Sequence, residues 1–156
     1  KPLVTTTYVH ANLYHDLING GWVTGILHLF NKTVVDWYSK KQASIETSSF
    51  GSEFTAMKVG VEISEGLRYK LRMMGVPLTG STQVRADNMS VIKNTSLPES
   101  TLKKKSNSIA YHYVRERAAS GAVAINYEHT RSNLADMLTK VQPGSVRKSQ
   151  VSKVLF

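Results

Sequence analysis

The hydrophobic period of this chain changes near residue 47, and that change limits the folds open to it. Before it, three segments alternate apolar and polar side chains, as half-buried strands do. They run from Leu3 to Tyr14, from Trp22 to Phe30 and from Val34 to Lys41. The connections between them carry the glycine, asparagine and aspartate residues typical of turns. We therefore predict a meander of three antiparallel strands.

Beyond residue 47 the apolar side chains recur every three or four residues, which is the period of an α-helix. This long helix is expected to begin at a threonine or serine of residues 47–49 and to end at Gly75. Gly60 and Gly66 within it are candidates for a close approach of another backbone. Its apolar positions are Phe50, Phe54, Met57, Val61, Leu67, Leu71 and Met74.

The remainder of the chain alternates between strand and helix. Its elements are a strand from Thr82 that turns helical after Asp87, a helix closed by Gly121, a strand from Val123, and a short helix capped by Ser132 or Asn133. In the helix before Gly121, we expect Ile109, Tyr113 and Val114 to face inward. The order β-β-β-α-β-α-β-α predicts an α+β fold, a mixed sheet with flanking helices. At this length we expect one domain over residues 1–140, followed by a basic tail over residues 141–156.

The composition narrows the partners and the kinds of metal site. Lysine and arginine number 20 against 11 acidic residues, which gives a formal charge of +9. Such an excess favours an anionic partner of the nucleic-acid type, although a basic surface kept for solubility explains it as well. The sequence has no cysteine, so any metal must be held by oxygen or imidazole.

The sequence contains no sign of a membrane segment. No apolar run approaches the roughly 20 residues that a spanning helix needs, and the first ten residues lack the apolar stretch of a signal peptide. Because the sequence begins at Lys1 and not at methionine, we expect a processed product or a segment of a longer protein. We expect an intracellular location, with an organelle left open.

Five short motifs follow the predicted elements in order. They are VDWYSKKQ (35–42), SSFGSEFTA (48–56), RADNMSVI (85–92), AYHYVRE (110–116) and NLADMLTK (133–140). Together they resemble the ribonuclease H domain of copia-type retrotransposon polyproteins, over residues 8–140. The resemblance implies a ribonuclease H-like fold and an endonuclease that cuts the RNA strand of an RNA:DNA hybrid.

The resemblance also implies a set of metal-binding acids. Enzymes of this family use four carboxylates to hold two Mg²⁺ ions, with Mn²⁺ as an alternative, and hard divalent ions of this kind prefer oxygen ligands. Three of these four carboxylates have a match in this sequence: Glu53 in GSEFTA, Asp87 in RADN and Asp136 in NLADM. They are the candidate catalytic and metal-binding residues. Each also has a structural explanation, because Glu53 suits a helix N-terminus, Asp87 could cap a turn and Asp136 could face solvent.

The fourth carboxylate of the family pattern belongs in the first strand, where this chain has YVHAN with His10 at the aspartate position. Neutral imidazole is a poor ligand for Mg²⁺, so His10 marks a degenerate catalytic position and a weakened two-metal site. Asp16 lies about 20 Å along the strand, whereas Asp36 and Glu46 are nearer only if the third strand pairs suitably. Binding of Mn²⁺ or Zn²⁺ by His10 with the three acids is a further alternative.

Several cations are candidates for contacts with nucleic-acid phosphates. They are Lys40, Lys41, Lys103, Lys104, Lys105, Arg115 and Arg131. Lysine and arginine bind phosphate by charge and counterion release, without sequence preference. A solvated helix face is the competing explanation for such a run of charge.

Three functions are then compatible with the sequence. The first is an active Mg²⁺-dependent ribonuclease H of a copia-type reverse transcriptase. The second is a domain of that descent with impaired or lost hydrolysis, which binds RNA or RNA:DNA hybrid and serves as a structural subunit of a larger assembly such as a ribonucleoprotein. The third is an unrelated α+β binding domain, which five ordered motifs disfavour. His10 favours the second.

Overall fold

The computed structural model describes residues 2–14, 21–43, 48–97, 99, 102 and 105–155. The strands are β1 (Thr5–Tyr14), β2 (Gly21–Phe30), β3 (Thr33–Lys41), β4 (Thr82–Ala86) and β5 (Val123–Tyr127). The α-helices are α1 (Ser49–Met73), α2 (Met89–Ser96), α3 (Ser108–Ala119) and α4 (Gly144–Val151). Two 3-10 helices span Lys105–Asn107 and Leu134–Leu138. None of the helices in these ranges is both long and apolar enough to cross a membrane.

The five strands form one mixed sheet in the order β3-β2-β1-β4-β5. The predicted meander is confirmed, because β1 pairs antiparallel with β2 and β2 with β3. β4 and β5 add in parallel on the other side of β1, which the intervening helices allow. The predicted α+β class, a mixed sheet with flanking helices, is therefore confirmed.

Helix α1 has the predicted extent, and most of its predicted apolar face is buried, although Met74 at its end is exposed. The Ser48 hydroxyl caps its first turn by accepting from the Gly51 backbone N–H, and Gly75 ends it with a φ of 75°. A Cβ on Gly60 would lie 2.6 Å from Cγ2 of Val9, so this glycine lets α1 approach β1. Gly66 has no atom within 4 Å of such a Cβ, and the expected close approach there is wrong.

The sheet buries apolar side chains on both faces. One cluster lies between the sheet and helices α1 to α3, and it includes Val9, Phe54, Met57, Val61, Val84, Val91, Val114 and Val123. A smaller cluster of Leu27, Leu29 and Leu134 is covered by partly buried side chains, among them Val154 beyond α4. The segment after residue 140 thus packs on this smaller cluster through Val154, which follows α4.

Two local predictions need correction. Ile109 is 77% exposed, because α3 begins at Ser108 and turns Ala110, Tyr111 and Val114 toward the core instead. The last predicted helix is a 3-10 helix over Leu134–Leu138, with Asn133 as its cap. A five-residue segment of this type tightens to i→i+3 hydrogen bonds more readily than it forms a full α-turn.

A buried polar network lies between the sheet and α1. His28 is 2% exposed, its Nδ1 lies 2.8 Å from the Thr7 hydroxyl, and that hydroxyl lies 2.8 Å from Ser64 Oγ. Burial lowers the pKa of His28 to about 4, against a smaller opposing effect of Asp36. His28 is therefore neutral in the folded protein at neutral pH.

This network predicts an acid-sensitive contribution to stability. The unfolded chain binds the His28 proton at a higher pH than the folded chain, so the contribution is lost as pH falls from about 6.5 to about 4. We expect the wild type to lose about 3 kcal/mol of unfolding free energy relative to His28→Asn across that window. Urea denaturation of both proteins at several pH values measures this difference. A difference that does not change with pH would contradict the assignment; other titrating groups cancel between the two proteins.

Candidate functional site

Four elements bring His10, Glu53, Asp87 and Asp136 together. Glu53 lies in the second turn of α1, and Asp87 follows the last residue of β4. Because β1 and β4 are parallel with Tyr8 opposite Arg85, the register carries His10 alongside Asp87. Asp136 lies in the 3-10 helix that packs on β1 and β2.

Two neighbouring residues hold that 3-10 helix at the site. The buried Asn133 amide donates to the Val9 carbonyl over 2.9 Å and accepts from the Ala135 backbone N–H. Gly25 pairs with His10 in the sheet, and a Cβ there would lie 2.7 Å from the Ala135 carbonyl oxygen. Asn133 and Gly25 therefore set how closely Asp136 approaches His10.

The His10 ring lies at the centre of the three carboxylates. Its Nδ1 is 3.2 Å from Asp87 Oδ1 and 3.4 Å from Glu53 Oε1. Its Nε2 is 3.0 Å from Asp136 Oδ1. His10, Glu53 and Asp136 are all less than a tenth exposed. The structure thus brings together every residue predicted for the catalytic centre.

The charges of this cluster depend on one another. Burial alone would lower the pKa of His10, but hydrogen bonds to Asp136 and Asp87 and the charge of Glu53 outweigh it and raise the pKa to about 10. Burial raises the pKa of Glu53 to about 7, against the charge of His10. Burial would also raise the pKa of Asp87 and Asp136, but hydrogen bonds from His10 hold both pKa values below the ordinary range. His10 is therefore an imidazolium among carboxylates at neutral pH.

Two residues outside the predicted set contact Asp136. Lys140 Nζ lies 2.8 Å from Asp136 Oδ1, and the Gln142 amide donates to Oδ2 over 2.5 Å. The four-residue spacing of Asp136 and Lys140 could have indicated this pair. Gln142 offers no such signal, because its position depends on how the chain turns before α4.

The alternative acids do not join the cluster within the described part of the chain. Asp36 lies opposite His28 in the sheet, three register positions from the partner of His10. Asp16 and Glu46 lie outside the described residues. Among the described residues, Asp36 therefore does not stand in for the missing carboxylate.

The pair of Mg²⁺ ions implied by the resemblance does not fit this donor set. Mg²⁺ demands near-octahedral oxygen coordination at roughly 2.0–2.1 Å. Here an imidazole ring stands within 3.4 Å of an oxygen from each carboxylate, in the space that ions would share. As an imidazolium it also repels Mg²⁺, which has too little affinity for a ring nitrogen to displace its proton. The cluster therefore already contains a cation where the family would place metal.

A basic groove lies beside the cluster. It is a cavity of about 480 Å³ between the end of β3 and the chain leading into α4. Four cations line it, and we define the basic groove by them: Lys40, Lys41, Lys140 and Arg147. Lys140 also contacts Asp136, so the groove and the carboxylate cluster are continuous.

The other predicted phosphate contacts are dispersed. Arg131 is exposed and lines a second cavity with Asp136 and Lys140. Lys105 is exposed in the first 3-10 helix. Arg115 donates to the Asn94 and Leu97 carbonyls, which ties α3 to the end of α2. Lys103 and Lys104 lie outside the described residues.

Comparison with curated proteins finds retrotransposon polyproteins. No protein-family model matches the chain. It is 27% identical over 120 residues to the retrovirus-related Pol polyprotein from transposon RE1 of Arabidopsis thaliana, which covers 77% of this chain and 8% of that protein. It is 28% identical over 137 residues to the Pol polyprotein from transposon TNT 1-94 of Nicotiana tabacum, covering 87% of this chain and 10% of that protein. The chain thus spans about a tenth or less of these relatives.

Comparison with solved structures finds ribonuclease H domains. The N-terminal RNase H domain of rv2228c from Mycobacterium tuberculosis matches with a TM-score of 0.65 at 13% identity, covering 96% of this chain and 97% of that one. LC11-RNase H1 in complex with an RNA/DNA hybrid matches with a TM-score of 0.64 at 14% identity, covering 86% and 93%. The foamy viral protease-reverse transcriptase, also in complex with an RNA/DNA hybrid, matches with a TM-score of 0.65 at 13% identity, covering 88% and 19%.

The structural neighbours show that the chain has a ribonuclease H-like fold, and the polyproteins are the relatives it resembles in sequence. The chain has a ribonuclease H-like fold and is similar in sequence to the copia-type retrotransposon polyproteins.

Proposed function

We propose that this domain binds RNA or an RNA:DNA hybrid through backbone phosphates and that its two-metal hydrolysis is lost or severely impaired. The loss of two-metal hydrolysis is supported by one observation, the contact of the His10 ring with all three carboxylates. We further propose that the domain acts as a nucleic-acid-binding subunit of a larger assembly.

The loss of hydrolysis follows from charge and space. Two divalent ions activate the attacking water and stabilise the leaving oxygen of a phosphodiester, which requires several carboxylates free to coordinate them. Here Asp87 and Asp136 are engaged by His10, and Asp136 by Lys140 as well. A buried imidazolium supplies positive charge but cannot lower the pKa of a bound water as a metal does.

The basic groove supports phosphate binding. Four cations line it, one of them, Lys140, contacts Asp136 of the cluster, and the chain carries a net charge of +9. Two of the structural neighbours were solved with an RNA/DNA hybrid bound. Cations that follow one edge of a site suit a phosphate backbone, which is recognised by charge and not by sequence.

Binding should weaken steeply as salt concentration rises. Each phosphate contact contributes a slope of about −0.7 to −0.9 in log affinity against log salt. We expect the triple variant Lys40→Gln, Lys41→Gln, Arg147→Gln to bind more weakly. Its slope of log affinity against log salt should be less negative than that of the wild type by about two to three. Fluorescence anisotropy with a labelled RNA:DNA hybrid and a labelled single-stranded RNA measures both quantities.

A charge-matched control separates the groove from net charge. Lys32→Gln, Lys70→Gln, Arg72→Gln removes three exposed cations at the opposite end of the sheet, near the β2–β3 turn and the end of α1. This control should keep most of the affinity and slope. Equal losses in both triple variants, or an affinity that does not change with salt, would contradict the proposed groove.

The second candidate function is an active Mg²⁺-dependent ribonuclease H. The observation in its favour is that the three family acids still converge within one site. It requires His10 to leave the centre of the cluster when metal binds. Mg²⁺-dependent cleavage of a labelled RNA:DNA hybrid by the unaltered chain distinguishes the two functions.

A further inference from the structure

The two nitrogens of His10 face different partners, and this division resembles that of a metal-bound histidine. Nδ1 faces Glu53 Oε1 and Asp87 Oδ1 at 3.4 and 3.2 Å. Two ligand atoms bound to one Zn²⁺ in tetrahedral geometry, at about 2.0–2.2 Å each, lie about 3.3 Å apart. The three potential ligand atoms all lie within 4.8 Å of one another. The cluster is therefore already close to the size of a single-ion site.

Asp136 lies where a carboxylate that orients a metal-bound histidine would lie. A metal-bound histidine usually donates its second ring N–H to a carboxylate, which fixes the ring orientation. His10 Nε2 lies 3.0 Å from Asp136 Oδ1, and Lys140 and Gln142 hold that carboxylate in turn. Asp136 is thus positioned to orient the imidazole and not to coordinate the same ion.

Glu53 gives an independent indication that a ligand is expected. Its side chain is 7% exposed, and among the described residues its Oε2 has no hydrogen-bond partner. A buried carboxylate oxygen without a partner is costly, because its desolvation is not repaid. A cation bound to Glu53 would satisfy this oxygen.

We propose that His10, Glu53 and Asp87 bind one divalent ion of the zinc class, through His10 Nδ1 and one or both oxygens of each acid. The nitrogen donor is the reason for this class, because imidazole suits Zn²⁺ and its neighbours whereas Mg²⁺ prefers hard oxygen. Three protein ligands leave a coordination position open. The site differs from the family's two-metal centre in the number of ions, the kind of ion and the role of Asp136.

Equilibrium dialysis of the purified full chain with Zn²⁺ or Mg²⁺ tests the proposal. The titration is done at mildly alkaline pH, because a metal competes with the Nδ1 proton for its position. We expect one Zn²⁺ per chain and no Mg²⁺ at the same concentration. Co²⁺ serves as a spectroscopic probe, and its visible absorption should show tetrahedral coordination.

Three variants assign the ligands. His10→Gln should abolish the Zn²⁺ site and the Co²⁺ bands, and circular dichroism with thermal melting shows whether that variant is folded. Asp136→Asn keeps all three ligands and should weaken Zn²⁺ binding about 10- to 100-fold with the Co²⁺ bands retained. His112→Ala removes an exposed histidine on α3 and should change neither measurement.

Three results would overturn the proposal. They are Zn²⁺ binding that is unchanged in folded His10→Gln, Mg²⁺ binding as tight as Zn²⁺ binding in the wild type, and Zn²⁺ affinity unchanged in Asp136→Asn. The proposal does not depend on nucleic-acid binding, so its failure and that of the proposed function are distinguishable. A chain that binds RNA without zinc would retain the function and lose this site.

Discussion

Replacing His10 with aspartate should make the stability of this domain depend on Mg²⁺. We expect His10→Asp to melt about 5–10 °C higher in saturating Mg²⁺ than in EDTA, whereas the wild type should melt at the same temperature in both. Differential scanning fluorimetry with increasing Mg²⁺ measures the effect. The expected magnitude corresponds to about 2.7 kcal/mol for a ligand present at 100 times its Kd.

The physical reason is the exchange of one buried cation for another. In the wild type the imidazolium of His10 neutralises part of the charge of Glu53, Asp87 and Asp136. An aspartate at this position removes that cation and adds a fourth carboxylate. The cluster can then be neutralised only by protons or metal ions, and a hard divalent ion finds a set of oxygen ligands.

A second substitution provides the control. The double variant His10→Asp, Asp87→Asn has the same overall size but one carboxylate fewer, so most of the Mg²⁺ effect should disappear. A wild type that gains as much stability from Mg²⁺ as His10→Asp would show that His10 does not exclude the ion.

Removing the imidazole without replacing it should be strongly destabilising at neutral pH. We expect His10→Ala to lose about 3–5 kcal/mol of unfolding free energy, because deleting one partner of a buried ion pair leaves uncompensated charge. Among the described acids, Lys140 forms its ion pair with Asp136 and is itself 41% exposed, so it does not neutralise Glu53 and Asp87. Urea denaturation in EDTA measures the loss.

The dependence of that loss on pH separates charge from packing. A cavity left by the missing ring costs the same at every pH, whereas repulsion among three carboxylates is relieved when one of them is protonated. The deficit of His10→Ala should therefore be smaller at pH 5 than at pH 7. The double variant His10→Ala, Glu53→Gln should be less destabilised than His10→Ala alone. A deficit below about 1 kcal/mol at neutral pH would contradict the role given to His10.

Much of the fold could be predicted because its local signals agree. The alternation in β1 to β3, the helical period of α1 and the positive φ at Gly75 are properties of neighbouring residues. The inward face of α3 was harder to predict, since the exposure of Ile109 depends on where that helix begins and on which neighbour it contacts.

The residues of the candidate site could be predicted from the sequence, but the contacts between them could not. The acids and His10 followed from the order of the motifs, whereas their distances depend on the parallel pairing of β1 with β4, which joins residues more than 70 positions apart. The roles of Asn133 and Gln142 depend on the path of the chain after β5. No local pattern specifies that path, because it is fixed by packing against the completed sheet.

Mg²⁺-dependent cleavage of a labelled RNA:DNA hybrid tests the central claim most directly. We predict negligible cleavage by the wild-type chain over a time course in which His10→Asp cuts the RNA strand detectably. His10→Asp, Asp87→Asn should be inactive under the same conditions, and EDTA should abolish the activity of His10→Asp. Robust Mg²⁺-dependent cleavage by the unaltered chain, lost in Glu53→Gln and Asp87→Asn, would contradict the account and establish an active ribonuclease H.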